Sequence, residues 1–162
     1  MMNNKSGYVN ETAKPLFCFG HGLSYTDFSY SDFVISQDQV PANGVVEITC
    51  KVTNAGKYEG DEVVQVYITD KLASMVRPNK ELVGFKRISL QPGESKNVIF
   101  TLQMSQLAFL DKKMNWIVEA GKIDIMIGSA LDDIRLQGQF TIVDGITLAN
   151  SNRAFFAEGA VV

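Results

Sequence analysis

Apolar and polar residues alternate with a period of two along most of the chain, and turn residues interrupt the pattern at short intervals. In residues 45–54, for example, Val46, Ile48 and Cys50 fall on one side and Glu47 on the other. Such alternation is typical of a strand with one buried face, because successive side chains point to opposite faces of a sheet. The same pattern predicts strands at 28–36, 45–54, 62–70, 82–90, 96–103, 122–129 and 134–143.

The segments between these strands contain Pro, Gly and Asn, the residues that favour tight turns. Residues 41–44 read PANG and residues 91–94 read QPGE, and both supply the backbone angles of tight turns. The patterns in 28–36 and 82–90 are less regular, which predicts a β-bulge in each. Residues 105–110 have helical character, with Ser105 as the expected cap. About seven short strands predict an all-β, two-sheet antiparallel sandwich, with an open barrel as the alternative.

Composition and charge narrow the possible partners. Hydrophobic residues make up 46% of the 162 positions, which suits one domain with a true core. The net charge is −3 and both signs are scattered, which argues against a nucleic-acid partner. No run approaches the roughly 18 apolar residues of a membrane span, so no membrane partner is expected. The polar start, MMNNKSGYVNET, does not have the pattern of a signal peptide.

The residues that carry chemistry are sparse. His21 is the single histidine, so neither a metal site nor a Ser-His-Asp triad is predicted. Cys18 and Cys50 match no zinc spacing; we expect two reduced thiols, at least one of them buried, with a disulfide as the alternative. The carboxylate pairs at 61–62 and 132–133 are expected to point to opposite faces and so not to grip one substrate. A weak calcium site at 132–133 is the alternative for the second pair.

Aromatic residues cluster near the N-terminus, at 17, 19, 25, 28, 30 and 33. Aromatic rings stack on sugars, so a carbohydrate-binding surface is one interpretation of the cluster. The other, which we favour, is that the later aromatics fill the core or an interface. Trp116 lies in an apolar stretch and is expected in the core.

Four blocks of sequence resemble, in order, the fibronectin type III-like domain of family 3 β-glucosidases and β-xylosidases. They are PLFCFGHGLSYT at 15–26, VTNAGKYEGDEVVQVY at 52–67, RPNKELVGF at 77–85 and LQPGE at 90–94, and residues 116–128 look like the final strand pair. Together the resemblance covers about 15–143. Two departures are Cys18 and Ala120, where these domains commonly have proline.

The resemblance implies an immunoglobulin-like or fibronectin type III-like sandwich that follows two catalytic domains. In the family, a barrel carries an aspartate nucleophile in a Ser-Asp-Trp motif, and a second domain commonly carries the acid/base. This sequence contains neither that motif nor the family's Lys-His-Phe substrate motif. No catalytic, cofactor-binding or metal-binding residue is therefore predicted. By resemblance, a periplasmic or secreted parent protein is favoured.

The resemblance also implies a function for the chain. We expect a polar segment at 1–14, the sandwich at 15–144 and a tail at 145–162. We expect an accessory module that packs on the catalytic domains of a family 3 glycoside hydrolase, in cis or in trans, with weak self-association. The alternative is an autonomous carbohydrate-binding or adhesion module. The expected domain-interface residues are Phe17, Phe19, Gly20, His21, Gly22, Tyr25, Arg77 and Pro78.

Overall fold

The computed structural model describes residues 15–71, 73–149 and 153–162, and these residues form twelve strands and one short 3₁₀ helix. The expected polar segment at 1–14 lies outside the described residues. Seven strands are long, with 8 to 11 residues each, and they correspond to the seven predicted ones. In chain order the elements are β1 (Phe28–Ile35), β2 (Gln39–Val40), β3 (Val45–Asn54), β4 (Gly60–Asp70), β5 (Glu81–Leu90), β6 (Ser95–Gln103), η1 (Met104–Leu107), β7 (Phe109–Leu110), β8 (Trp116–Val118), β9 (Gly121–Ala130), β10 (Asp133–Ile142), β11 (Ile146–Thr147) and β12 (Glu158–Val161).

The long strands form two sheets, in the order β1-β3-β6-β12 and β2-β10-β9-β4-β5. All pairings are antiparallel except the short one between β2 and β10. A small third sheet, β11-β8-β7, lies beside them. The chain therefore has the predicted all-β, two-sheet architecture.

Alternate residues of both sheets fill the space between them, as the sequence pattern predicts. On β3 the four apolar residues of one side are fully buried, and β4, β6 and β9 contribute matching sets. Apolar surface removed from water is the main favourable contribution to folding. The residues that these four strands contribute to the hydrophobic core are Val46, Ile48, Cys50, Val52, Val64, Val66, Ile68, Val98, Phe100, Leu102, Ile123, Ile125 and Ile127.

Both predicted bulges are present. In β1 the pairing with β3 shifts between Ser31 and Val34, and Asp32 adopts a positive φ of 51°. In β5 the pairing with β4 passes from Gly84 to Leu82 across consecutive β4 residues, so Val83 is the extra residue. A bulged residue leaves the hydrogen-bond ladder. The carbonyl of Val83 therefore bonds elsewhere.

The predicted helix at 105–110 is corrected by the structure. The helical turn is η1, which covers Met104–Leu107, and Phe109 already belongs to β7. Ser105 does not cap it, because no side chain caps this turn; its Oγ instead accepts a hydrogen bond from Ala154 N at 3.2 Å. Among the described residues, no helix has the length and apolar content to cross a bilayer.

The predicted tail at 145–162 is also corrected. The pairing of β11 with β8, and of β12 with β6, makes the described parts of this segment, 145–149 and 153–162, part of the sandwich, and Ala157 is 5% exposed in the core. The segment mixes small, polar and apolar residues without a clear period, so the sequence pattern does not reveal a strand. The strand forms because the backbone of β6 offers unpaired groups along its edge.

Both cysteines are reduced. Cys50 is buried on β3, and burial raises the pKa of its thiol to about 12. Cys18 is half-buried near the N-terminus of the described chain. The expectation of two reduced thiols, with one buried, is confirmed.

The assigned strand faces can be tested on β6. Phe100 is fully buried, so we expect Phe100→Ala to lower the free energy of unfolding by about 3–5 kcal/mol. Thr101, on the opposite face, is the matched control, and Thr101→Ala should cost well under half as much. Urea unfolding followed by circular dichroism measures both. Equal losses in the two variants would contradict the assigned faces.

Candidate functional site

Residues 15–27, here called the arm, lie with their backbone against their own five-stranded sheet. Phe19 O accepts a hydrogen bond from Leu131 N at 2.9 Å, and Gly20 rests directly on Gln65. A Cβ at Gly20 would lie 2.5 Å from Gln65 Oε1, and its φ is +83°, so a larger residue fits here neither sterically nor conformationally. The arm therefore has a fixed path.

Buried polar groups hold the sheet under the arm. Gln65 is 4% exposed; its amide donates to Ser129 O and its Oε1 accepts from the Tyr67 hydroxyl at 2.5 Å. At the other end of the arm, Thr26 is buried and donates to Asn54 Oδ1 at 2.6 Å. Buried polar groups are costly unless they are paired. The bonds of Gln65 therefore fix the surface on which Gly20 lies, and the Thr26 bond ties the end of the arm to the sandwich.

The large apolar side chains of the arm point away from the domain. Five of them, here called the arm patch, are exposed to between 63% and 97%, and the ring of Phe17 stacks on His21 with centroids 4.8 Å apart. The expected interface residues Phe17, Phe19 and Tyr25 are thus at the surface together. The members of the arm patch are Leu16, Phe17, Phe19, Leu23 and Tyr25.

The other expected interface residues are divided by the structure. His21 and Gly22 are exposed on the arm. A Cβ at Gly22 would have no other heavy atom within 4 Å, so close backbone approach within this chain requires Gly20 but not Gly22. Pro78 is exposed on the loop between β4 and β5. Arg77 is not at the surface.

Arg77 has a structural role that differs from the expected one. Its side chain is 9% exposed and donates to Leu107 O at 2.8 Å and to Glu81 at 3.0 Å, and it lies over the ring of Phe109. A guanidinium so surrounded holds its own loop in place, which the sequence does not show because Leu107 of η1 lies 30 residues further along the chain. The place of Arg77 in a domain interface stays a prediction.

The end of that loop does lie beside the arm. Asn79 and Lys80 line a cavity of about 610 Å³ together with Pro15, Cys18 and the β9–β10 turn. Lys80 Nζ donates to Leu131 O at 2.9 Å, and Leu131 N bonds the arm. The arm, the loop end and this turn therefore form one continuous surface at one end of the sandwich.

A polar groove of about 460 Å³ runs along the other side of the arm. Asp61, Glu62 and Asp133 all line it, although neighbours on a strand were expected to face opposite ways. These residues lie at the beginning of β4 and of β10, where the groove ends the regular part of the sheet. Its lining also includes Arg87 and Arg135.

The carboxyl groups in the groove have different environments. Hydrogen bonds from Ser89 and Arg87 hold the pKa of Asp61 below its usual range, and Arg135 and Ser129 do the same for Asp133. Burial raises the pKa of Glu62. Because Asp133 pairs with Arg135, its carboxylate is committed to a cation of the protein, which leaves little support for the calcium alternative. The described residues contain no group of three potential metal ligands.

Comparison with known proteins identifies the family. Residues 62–130 match the family profile described as the fibronectin type III-like domain. The chain belongs to the fibronectin type III-like domain family. The resemblance stated from the four sequence blocks is thereby confirmed, and the relatives are family 3 β-glucosidases and β-xylosidases.

The relatives are much longer than the fibronectin type III-like chain. It is 44% identical over 131 residues to thermostable β-glucosidase B of Acetivibrio thermocellus, covering 80% of this chain and 17% of that protein. It is 43% identical over 135 residues to a β-xylosidase of Formosa agariphila, covering 82% and 19%. The structure of β-glucosidase 3B from Thermotoga neapolitana aligns with a TM-score of 0.78 at 33% identity, covering 85% and 19%. The chain spans less than a fifth of each.

Sequence reasoning missed several residues that build this surface. Gln65 and Tyr67 occupy positions on the polar side of β4, where alternation predicts exposure, yet both are buried; Gly20 of the arm lies on Gln65, and Tyr67 bonds to Gln65. Leu131 follows β9 in a turn and has no distinctive signal. The fibronectin type III-like family pattern marks the arm itself but not the face on which it lies.

Glu62 offers a test of the groove's electrostatics. A carboxyl whose pKa is raised on folding destabilises the folded state at pH values above that pKa, and this loss disappears as the pH falls toward about 4.3. We therefore expect Glu62→Gln to raise the melting temperature at pH 7.5 and to have a smaller effect at pH 4.5. Calorimetry at the two pH values measures this.

Asp61 is the matched control in the same groove, with the opposite sign. Its pKa is lowered, so its charge favours folding above about pH 3.9, and this contribution is lost as the pH falls. Asp61→Asn should lower the melting temperature at pH 7.5. Shifts of the same sign for both variants would show that the groove environments are assigned wrongly.

Proposed function

We propose that this fibronectin type III-like chain is a non-catalytic accessory module that packs on the catalytic domains of a family 3 glycoside hydrolase, in cis or in trans, and stabilises them. The observation that carries the proposal is the arm patch: five large apolar side chains exposed on a segment whose backbone is fixed. The length of the relatives supports it, since each has more than four-fifths of its chain outside the matched part.

The physical argument rests on what exposure of such a surface costs. Scattered apolar residues on a protein surface are ordinary, whereas a contiguous patch marks a site of contact. Here hydrogen bonds from Leu131 N to Phe19 O and from Thr26 Oγ1 to Asn54 hold the arm, so less backbone entropy is lost when a partner covers the side chains. Aromatic anchors of this kind dominate the energetics of interfaces.

The surroundings of the arm patch suit an interface rim. The loop end at Asn79 and Lys80 and the exposed Pro78 lie on one flank, and the polar groove lies on the other. An apolar centre with a polar rim is the usual anatomy of a protein interface. In the isolated chain the same patch favours weak self-association.

Docking can be tested by co-expression with a family 3 β-glucosidase truncated before its own fibronectin type III-like domain. We expect co-purification of the two, and Phe19→Asp should weaken the complex at least tenfold. Phe156→Asp is the matched control, because Phe156 has the same 63% exposure on a different part of the surface. Size-exclusion chromatography and titration calorimetry measure the complex.

The outcomes separate the proposal from its alternative. Equal weakening by the Phe19 and Phe156 variants would mean that general stickiness, not the arm, holds the complex. Binding of cello- or xylo-oligosaccharides by the isolated chain, lost in Tyr25→Ala, would favour the carbohydrate-binding alternative. If the chain formed no complex and bound no sugar, both the docking proposal and the carbohydrate-binding alternative would be contradicted.

The groove supports the non-catalytic part of the proposal. Glycoside hydrolysis needs a second carboxyl group that is free to act as base or nucleophile opposite the acid. Glu62 has the raised pKa of an acid, but Asp61 and Asp133 are each bound by an arginine. The barrel motifs that carry the family's chemistry do not occur in this sequence.

We therefore expect no hydrolysis of aryl β-glucosides or β-xylosides by the purified chain. Release of 4-nitrophenol over 24 h, compared with a buffer blank, measures this. Glu62→Gln serves as the control for trace contamination by other enzymes. Turnover that disappears specifically in Glu62→Gln would place an active site in the groove and contradict the proposal.

A further inference from the structure

The last ten residues close an open side of the sandwich. β5 is the edge of one sheet, and β6 lies next to the edge of the other. β12 pairs with β6 from Glu158 opposite Thr101 to Val161 opposite Val98, while Ala157 N donates to Val83 O at 2.8 Å on β5. The strand thus bridges the two sheets. We call the space that it fills, between β5 and β6, the seam.

The bulge in β5 prepares the seam for an extended chain. As the extra residue of the bulge, Val83 directs its carbonyl to Ala157 N and to Gln106 Nε2, at 2.8 and 2.6 Å. Gln106 is only 3% exposed, and its amide also donates to Phe155 O at 3.2 Å. The buried Gln106 amide therefore donates to backbone carbonyls on both sides of the seam, at Val83 and at Phe155.

The seam accepts only small side chains at positions 157 and 159. The inward-facing residues of the strand are Ala157, Gly159 and Val161, of which Gly159 lies over Phe100 and Val161 is 38% exposed. A Cβ at Gly84 would lie 3.1 Å from Ala157 Cβ, and one at Gly159 would lie 3.2 Å from Lys86 Cβ and 3.3 Å from Phe100. Larger side chains on either wall would force the strand out. Glu158 and Ala160 point outward and are exposed.

The residues before β12 add contacts on η1 and β8. The Arg153 guanidinium lies over the ring of Trp116, 4.5 Å from its centroid, and Ala154 N donates to Ser105 Oγ at 3.2 Å. The contacts have the form of a peptide in a receptor groove. Main-chain hydrogen bonds hold the strand, and close packing at Ala157 and Gly159 restricts the side chains that fit there.

We propose that the seam is a strand-binding site, and that residues 153–162 are its exchangeable ligand, which one copy of the chain can supply to another. The contacts that hold the strand are the same whether it comes from its own copy or from a second one, so only the entropies of connection and association separate the two arrangements. This surface is separate from the arm, so the proposal does not depend on the proposed docking function.

The first experiment uses the full chain with Gly159→Val as receptor and a synthetic peptide of residues 153–162 as probe. The substitution should unseat the receptor's own strand and lower the melting temperature by about 5–10 °C. Saturating wild-type peptide should restore at least half of that loss. It should also change the fluorescence of Trp116, the single tryptophan of the chain.

Two controls make the outcome specific. A peptide with Gly159→Val should not bind, and a receptor with both Gly84→Val and Gly159→Val should not respond to the wild-type peptide. Gly121→Val, at a glycine with open space around its Cβ position, controls for substitution of a strand glycine. Failure of the wild-type peptide to stabilise a folded Gly159→Val receptor would overturn the binding site.

A second experiment tests exchange between copies and needs no destabilised receptor. A Thr101→Cys chain is mixed with a Glu158→Cys chain, both with Cys18→Ser, since these positions face each other across β6 and β12. Mild oxidation should give a disulfide-linked heterodimer. Its yield should be at least fivefold lower when the Thr101→Cys chain also carries Gly84→Val. An equal yield with and without Gly84→Val, or no heterodimer at all, would overturn exchange.

Discussion

Burial of alternate side chains between two sheets is the constraint on which the rest of this structure depends. A strand that hides one face must present its apolar residues at every second position, and β3, β4, β6 and β9 do so. Phe100 is fully buried in this arrangement, and one side of its ring faces Gly84 and Gly159 at the seam. The core thus determines both the sandwich and the shape of the seam at its edge.

Buried polar groups decide how the irregular segments are attached to that core. Asn54 holds the arm, Arg77 holds the loop between β4 and β5, and Gln106 holds the C-terminal strand. Each would cost more to bury without a partner than it gains from packing, so each fixes one particular path of the backbone. This is why the segments outside the sheets have defined positions.

The molecule consequently has two surfaces of different character. The arm patch is apolar, exposed and rigid, which suits docking against a large preformed partner. The seam is narrow, is lined by small residues and backbone groups, and already holds a strand. The groove beside the arm contains carboxylates bound by arginines. Two neighbouring residues of β4 line it, and the pKa of Asp61 is lowered whereas that of Glu62 is raised.

Sequence alone determined the all-β class, the extents of the seven long strands, the buried face of most of them and both bulges, because each depends on local periodicity. It also indicated the family and the exposed aromatics of the arm. It did not reveal β12, since Ala157 and Gly159 carry no hydrophobic period, nor that Arg77 is internal and Gln65 buried. Those outcomes depend on which distant segments meet: η1 beside Arg77, the arm over Gln65, and the last strand against β6. Periodicity indicates which face of a strand packs toward the opposite sheet, whereas only the tertiary structure decides what covers the other face.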